Sequence, residues 1–170
     1  MLRFCLNNDP LFLYGPLDQG YWPDGLYTPP TDQAMRWDIE FLKSAGFNMI
    51  RKHVKVEPAR YYYHCDRMGM ILWQDMISGG ISPKPIWSFF INLVKIKRDD
   101  HHFWRLGRGD KDNRSFFEIE YRRMLDALYN VVSIAIWGPF NEGWGQFDAA
   151  RIAEWTKVYD RTRLVDHASG

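Results

Sequence analysis

Short apolar runs alternate with amphipathic stretches along most of this chain. The apolar runs are about four to eight residues long and are bounded by Gly, Pro, Asn or Asp, as expected for strands. The amphipathic stretches repeat apolar residues every three or four positions, which indicates helices with one buried face. Five strands are predicted, at residues 10–14, 47–53, 70–75, 131–138 and 163–167. Four helices are predicted between them, at residues 31–45, 58–68, 115–128 and 147–159.

Local signals support the limits of these helices. Thr31 can cap the first helix, and Gly46 follows its last residue. Pro58 suits the first turn of the second helix and Gly69 its end. The tetrapeptide Ser115-Phe-Phe-Glu118 matches a capping box, which predicts that the third helix begins there.

The alternation of strands and helices predicts an α/β chain built from parallel βαβ units. A doubly wound sheet that binds a dinucleotide would carry G-x-G-x-x-G after its first strand, and residues 15–20 lack that spacing. A (β/α)8 TIM barrel fits better but needs roughly 250 residues. We therefore expect residues 1–170 to form a single domain, a partial (β/α)8 barrel with strands 1 to 5. A long excursion at 76–114 interrupts the pattern, with a short helix at 87–95.

Composition narrows the class of ligand. The chain is 46% hydrophobic and 25% charged with a net charge of +1, so it has no field that would select nucleic acid or acidic lipid. Neutral ligands are the natural partners. Cys5 and Cys65 lack metal-like spacing and are expected to be buried free thiols. No cofactor motif, metal site, signal peptide or transmembrane segment is predicted, and the localisation stays open. The tripeptide Arg108-Gly109-Asp110 carries no predicted role.

The most informative stretch is Val131–Gln146, in which a β-branched apolar run stops at Gly138-Pro139. A buried parallel strand there would deliver its carboxyl end to Asn141-Glu142, enclosed by Trp137, Phe140 and Trp144. A carboxyl group among aromatic rings is poorly solvated when charged, so we expect its pKa to be raised. Glu142 is therefore predicted to be a general acid.

Four segments resemble one known family. They are Asp18-Gln-Gly-Tyr-Trp-Pro-Asp-Gly-Leu-Tyr27, Gly46-Phe-Asn-Met-Ile-Arg51, Trp73-Gln-Asp75 and Phe140-Asn-Glu-Gly-Trp-Gly-Gln146. Together they resemble the barrel domain of glycoside hydrolase family 2, the β-galactosidase-like and β-glucuronidase-like enzymes. The family commonly has His-Pro where this chain has Val131-Val132, a difference confined to the turn before the fourth strand.

The resemblance implies a hydrolase that acts on O-glycosyl bonds with retention. It implies Glu142 as acid/base, Asn141 as the residue that binds the sugar 2-hydroxyl, and Arg51 as a supporting cation. The family's nucleophilic glutamate lies on the seventh strand, beyond the five predicted here. The chain is thus expected to hold only the N-terminal part of a barrel and to be inactive on its own.

Further side chains at predicted strand ends are candidates for substrate contact. Asp75 is the best acceptor for a sugar hydroxyl, and aromatic rings often line sugar sites. The other candidates are Asp18, His53, Trp73, Trp137, Trp144 and His167, with Tyr21 and Trp22 in the first loop. Because the carboxyl ends of parallel strands lie together, Asp18, Arg51, Asp75 and Glu142 are expected to share one cleft.

Two other functions stay open. A non-catalytic carbohydrate-binding fragment would use the same aromatic mouth without turnover. A half barrel also leaves strand edges and apolar faces uncovered, so self-association through those edges is the third alternative.

Overall fold

The computed structural model describes residues 3–80, 100–141, 143 and 145–168. A short antiparallel hairpin is formed by β1 (Cys5–Leu6) and β2 (Asp9–Pro10). Five strands form a parallel sheet: β3 (Leu17–Asp18), β4 (Met49–Lys52), β5 (Ile71–Asp75), β6 (Ile134–Gly138) and β7 (Leu164–Val165). The helices are α1 (Asp32–Ser44), α2 (Ala59–Met68), α3 (Lys111–Leu128) and α4 (Ala149–Tyr159), with a 3-10 helix η1 at Phe103–Leu106.

The five parallel strands lie side by side in chain order, β3-β4-β5-β6-β7. A helix separates each strand from the next along the chain, as in repeated βαβ units. The described residues do not close into a barrel. The predicted α/β fold, a partial (β/α)8 barrel with five strands, is confirmed.

The two faces of the sheet have different roles. One face packs on the helices through wholly buried side chains such as Ile50 and Leu72, which meet Ile39 of α1, Cys65 of α2 and Leu125 of α3. We call the other face the inner face, because it would face the interior of a closed (β/α)8 barrel. Since side chains alternate along a strand, register fixes which residues lie on it. They are Leu17, Met49, Arg51, Ile71, Trp73, Asp75, Ile136, Gly138 and Leu164.

The first two helices follow their predicted signals. The Thr31 hydroxyl accepts a hydrogen bond from the Ala34 N–H at 3.0 Å and caps α1. Helix α2 begins after Pro58 and ends at Gly69 in the left-handed conformation. No helix in the described ranges is both long and apolar enough to cross a bilayer.

Three local predictions were wrong. The strand predicted at 10–14 is displaced, because residues 9–10 belong to the hairpin and the parallel ladder starts at Leu17, after Pro16, which has no N–H to donate. Helix α3 begins one turn before the capping box at Ser115, since the Asp110 carboxylate accepts from the Asp112 N–H at 2.9 Å and caps it earlier. Cys65 is a buried free thiol as expected, but Cys5 is exposed. The helix predicted at 87–95 lies outside the described residues.

Candidate active site

The carboxyl-end part of the inner face carries a compact polar cluster. Arg51 and Trp73 are direct partners in the β4–β5 ladder, and Asp75 follows on the same face of β5. Asp75 pairs with Gly138 of the next strand. Four residues from three adjacent strands therefore meet at one edge of the sheet, which is where active sites of parallel barrels lie.

Arg51 and Asp75 form the central ion pair of this cluster. The Arg51 Nε and Nη2 atoms both donate to Asp75 Oδ2, at 3.0 and 2.9 Å. The guanidinium also lies over the Trp73 ring, 4.8 Å from its centroid. Asp75 is 0% exposed, and this burial raises its pKa although Arg51 acts in the opposite direction. The guanidinium plane is thus fixed by a buried carboxylate and an aromatic face.

Asn141 joins the cluster from the segment after β6. Arg51 Nη2 donates to Asn141 Oδ1 at 3.1 Å. A guanidinium has only donors, so the atom of the amide that faces it must be the oxygen. The Asn141 amide nitrogen is therefore turned away from Arg51. Arg51 thus contacts both Asp75 and Asn141, and of the predicted cleft of Asp18, Arg51, Asp75 and Glu142 the structure brings Arg51 and Asp75 together.

Two polar atoms in the wall of this cluster make no hydrogen bond within the described part of the chain. They are the Trp73 Nε1 atom, a donor, and the Asp75 Oδ1 atom, an acceptor, and both are buried. A Cβ added to Gly138 would lie 2.3 Å from Asp75 Oδ1 and 2.9 Å from Trp73 Nε1. Gly138 is thus required by the close approach of these two side chains.

The two candidate histidines differ in their surroundings. His53 follows β4, and its Nδ1 atom lies 3.1 Å from Gln19 Nε2 of the loop after β3. Burial raises the Asp75 pKa, and His53 lies close enough that its charge opposes that rise, after the larger opposing effect of Arg51. His167 is an exposed residue that follows β7. Of the two, only His53 is linked to the Arg51–Asp75 pair.

Asp18 and Trp137 do not lie in the cluster, which corrects two predictions. Asp18 pairs with Lys52 in the ladder and therefore faces the helices, where its carboxylate accepts from Lys52 Nζ and from the Gly20 N–H, each at 2.7 Å. Trp137 pairs with Gln74 and is wholly buried on the same helix side. Its Nε1 atom donates to Asp160 Oδ2 at 2.9 Å. The single cleft predicted for four strand ends therefore does not include Asp18.

Asp18 instead belongs to a partly buried charge network that connects two loops. Lys52 contacts both Asp18 and Glu57, and Lys55 Nζ lies 3.0 Å from Glu57 Oε1. Lys55 Nζ also donates to the Gly20 carbonyl at 2.7 Å. The loop after β3 is thereby tied to the loop after β4, so the network orders the rim of the site without facing it.

Glu142 and Trp144 lie outside the described residues. Of the first-loop aromatics, Tyr21 is 68% exposed and Trp22 is half-buried. These two rings border Asp18 and Asp38 on the helix side of the sheet, with Pro29 and Met35 nearby. Tyr21 and Trp22 are thus placed apart from the Arg51–Asp75 pair.

The structure adds residues that sequence reasoning missed, all of them contacts to the segment after β6. The Gly145 N–H donates to the Leu106 carbonyl at 2.8 Å, and Arg108 Nε donates to the Gly145 carbonyl at 2.9 Å. Asp100 Oδ2 accepts from Gln146 Nε2 at 3.1 Å. Leu106, Arg108 and Asp100 lie in the excursion at 76–114. That stretch has no hydrophobic period, so its sequence did not predict these contacts.

No cluster of three or more His, Cys, Asp or Glu side chains suited to a metal ion occurs among the described residues. Within that part of the chain, the groups that the inner-face cluster offers are a cation, a carboxylate, an amide and an indole. Such groups bind hydroxyl-rich neutral molecules through hydrogen bonds.

Comparison with known proteins decides the family. The model of the glycosyl hydrolases family 2 TIM barrel domain matches residues 28–170. The chain belongs to glycosyl hydrolase family 2. It is 22% identical over 170 residues to a β-galactosidase of Pseudoalteromonas haloplanktis, an alignment that covers 99% of this chain and 14% of the relative.

Solved structures of glycosidases share the fold. A β-glycosidase from Bacteroides vulgatus superposes with a TM-score of 0.71 at 19% identity, covering 98% of this chain and 19% of that chain. The Bacteroides uniformis β-glucuronidase 2, solved covalently bound to cyclophellitol-6-carboxylate aziridine, gives a TM-score of 0.65 at 25% identity, with 96% and 19% covered. The chain thus spans about one seventh of the length of the β-galactosidase that it resembles.

Proposed function

We propose that this chain carries the acid/base half of a retaining β-glycosidase site. Glu142 is the general acid/base, Asn141 and Arg51 hold the sugar, and the nucleophile comes from a part of the barrel other than these five strands. The observation that carries the proposal is the Arg51–Asp75 pair bonded to Asn141, the residue that precedes Glu142.

Asn141 is held in the orientation that sugar binding requires. Because Arg51 occupies its amide oxygen at 3.1 Å, the amide group can turn its nitrogen donors toward a sugar hydroxyl. Asp75 in turn fixes Arg51 from a buried position. Fixed hydrogen-bond partners of this kind are what positioning of a reacting bond demands.

Trp73 and Asp75 extend the proposed sugar contact. The Trp73 Nε1 donor and the Asp75 Oδ1 acceptor both border Gly138. A sugar hydroxyl can accept from one group and donate to another, so it matches this pair. His53, beside Gln19, is proposed to complete the polar rim of the same site. His167, which follows β7, and Trp144, which lies outside the described residues, are kept as weaker members of the proposed site.

A second carboxylate is required for turnover. Retaining hydrolysis uses two carboxyl groups about 5 to 5.5 Å apart, one as acid/base and one as nucleophile. Asp75 is the one acid among the described inner-face residues, and its Oδ2 atom is held twice by Arg51. A wholly buried carboxylate held by a guanidinium is a poor nucleophile. We therefore expect the 170-residue chain alone to hydrolyse glycosides several powers of ten more slowly than a complete barrel.

The test uses a complete barrel that contains this chain, with Glu142→Ala and, as a matched control, Glu154→Ala at an exposed position of α4. Glu142→Ala should slow hydrolysis of an activated aryl β-glycoside mainly at breakdown of the covalent intermediate. Azide should restore turnover and give a β-glycosyl azide, since it needs no general base. Wild-type rates for Glu142→Ala with activated and unactivated substrates would refute the acid/base role.

A non-catalytic sugar-binding role is the second candidate, because Asp75 is engaged and no other acid lies on the described inner face. Calorimetry of the 170-residue chain with methyl β-glycosides separates the two functions. Binding that Arg51→Ala abolishes, combined with an inactive complete barrel, would favour the binding role.

A further inference from the structure

In the segment after β6, Gly145 contacts residues of two other loops. Its N–H donates to the Leu106 carbonyl at 2.8 Å, and its C=O accepts from Arg108 Nε at 2.9 Å. Gly145 has φ +80°, and an added Cβ would lie 2.4 Å from the Gly79 carbonyl oxygen. Both backbone polar groups of one residue are therefore satisfied by the excursion, while the loop after β5 packs against its Cα.

Arg108 is itself immobilised. The residue is 3% exposed, and its guanidinium lies 4.6 Å from the Phe117 ring centroid and 5.7 Å from that of Phe147. Its Nη1 atom donates to Asn113 Oδ1 at 2.6 Å. The rotamer is thus fixed by two rings of the core and an amide at the start of α3.

The same rings hold both ends of the segment. Phe117 of α3 stacks on Phe140, which precedes Asn141, with centroids 5.0 Å apart and planes 8° apart. Phe117 also meets Phe147, which follows Gln146, edge to face at 5.5 Å. Arg108 therefore packs on Phe117, the ring that also contacts Phe140 and Phe147, the residues on either side of 141–146.

Within the described ranges, no carboxylate contacts the Arg108 guanidinium. This guanidinium donates to the Gly145 carbonyl and the Asn113 amide, which are both neutral, and no described carboxylate forms an ion pair with it. Burial lowers its pKa to about 10, so it stays charged at neutral pH. Two aromatic faces and two neutral acceptors therefore surround this charge among the described residues, and a neutral amide could bond the same carbonyl. What the guanidinium adds over an amide is a charge-assisted bond to the Gly145 carbonyl.

We infer that Arg108 is a positioning residue for glycoside hydrolysis: through the Gly145 carbonyl it fixes the segment 141–146 that carries Asn141 and Glu142. This inference rests on the proposed function. A guanidinium gives a charge-assisted bond to the carbonyl and stays protonated at neutral pH. Gly145 is thereby held while Glu142, three residues earlier in the chain, alternates between acid and base.

Two measurements test this inference with the variants Arg108→Met and Arg108→Lys. Arg105→Met is the matched control, because Arg105 is exposed on η1 and contacts the Trp104 ring. The first measurement is hydrogen–deuterium exchange of the Gly145 amide in the 170-residue chain, with the Leu72 amide of β5 as an internal reference. Arg108→Met should speed exchange at Gly145 by about tenfold or more, with Leu72 unchanged and Arg108→Lys intermediate.

The second measurement is the dependence of kcat/KM on the leaving group in a complete barrel. Poor leaving groups depend most on proton donation, so they lose the most rate when the general acid is displaced. Arg108→Met should therefore widen the ratio of kcat/KM between dinitrophenyl and alkyl β-glycosides by about tenfold. A merely structural role would lower all rates equally. Gly145→Ala should reproduce the same pattern from the other side of the contact if Arg108→Met does not fold.

Unchanged exchange at Gly145 in Arg108→Met would overturn the inference. Faster exchange with an unchanged leaving-group gap would also overturn it, because the segment would then be held for stability alone. If the wild-type barrel hydrolyses no glycoside, the proposed function fails, and the exchange measurement still decides whether Arg108 holds Gly145.

Discussion

Replacement of Asp160 by Asn should destabilise the fold mainly by removing a buried charge. The Asp160 carboxylate accepts four hydrogen bonds. Its Oδ1 atom receives the Thr162 N–H at 2.9 Å and the Thr162 hydroxyl at 2.6 Å, and its Oδ2 atom receives Trp137 Nε1 at 2.9 Å and Arg163 Nη1 at 2.7 Å. Asp160 is 0% exposed, and it connects the end of α4 to β6 through Trp137.

The magnitude follows from the donors that an amide cannot satisfy. Trp137 and Arg163 can only donate, so the amide oxygen would face them and the amide nitrogen would face Thr162. The Thr162 hydroxyl can then turn to accept a hydrogen bond, but the Thr162 N–H loses its acceptor. The two bonds on the other oxygen persist without the negative charge. At about 1 kcal/mol for each of these three changes the loss is about 3 kcal/mol. With an m-value of about 2 kcal/mol/M, the urea midpoint should fall by about 1.5 M.

The pH dependence of this stability difference tests whether the Asp160 charge is its cause. Burial by itself raises the pKa of Asp160, but the hydrogen bonds from Thr162, Trp137 and Arg163 outweigh it and hold the pKa well below its usual range. A depressed folded pKa contributes stability that is complete above the unfolded pKa and is lost as the pH falls toward the folded pKa. The gap between wild type and Asp160→Asn should therefore stay constant from about pH 7 to 5 and narrow below about pH 4.

Urea unfolding followed by circular dichroism at each pH measures the gap, with Asp24→Asn in an exposed loop as the control. A gap below about 0.5 kcal/mol at neutral pH would show that the carboxylate charge contributes little. A gap that widens in acid would contradict the assignment of the depressed pKa to these hydrogen bonds.

Three further changes test other parts of the structure. Gly138→Ala should displace Asp75, whose Oδ1 atom would lie 2.3 Å from the new Cβ, and lower stability by about 1 to 3 kcal/mol; an unchanged urea midpoint would contradict this. Thr31→Ala removes the cap of α1 and should cost about 1 kcal/mol by the same assay, whereas Thr31→Ser should restore it. Burial raises the pKa of the Cys65 thiol to about 12, so a disulfide reagent should modify Cys5 quickly and Cys65 only on unfolding; two fast thiols in the folded chain would refute the packing.

The order of strands and helices was predictable because the signals are local. The spacing of apolar residues within each amphipathic stretch is enough to predict its helix. Thr31 caps the start of α1 and Gly69 the end of α2 through backbone groups close to them in the chain. The start of α3 was missed because Asp110 and Ser115 are both good caps. Arg108, which lies outside the helix, bonds Asn113 in the first turn and thereby favours the earlier start. Local pattern cannot contain that contact.

Membership of the site was harder to predict than its location. Arg51 and Lys52 are consecutive basic residues at one strand end, yet Arg51 faces the inner cluster and Lys52 lies 0% exposed among the helices. A strand alternates faces at every residue, so a shift of one in register exchanges the two sets. The predictions for Asp18 and Trp137 were wrong because polarity and aromaticity do not reveal which face a residue takes.

The two glycines that matter most show what a sequence can and cannot state about a site. Gly138 is recognisable from sequence as the end of a strand, but its side-chain position is filled by Asp75 and Trp73, which come from the neighbouring strand. Gly145 is recognisable as part of a family motif, but both of its hydrogen-bonding groups are satisfied by Leu106 and Arg108. A glycine marks where another group must approach closely, and only the fold determines which group that is. The partners of Gly145 lie in a segment with no hydrophobic period, so the contacts that hold the proposed acid/base segment had to come from the structure.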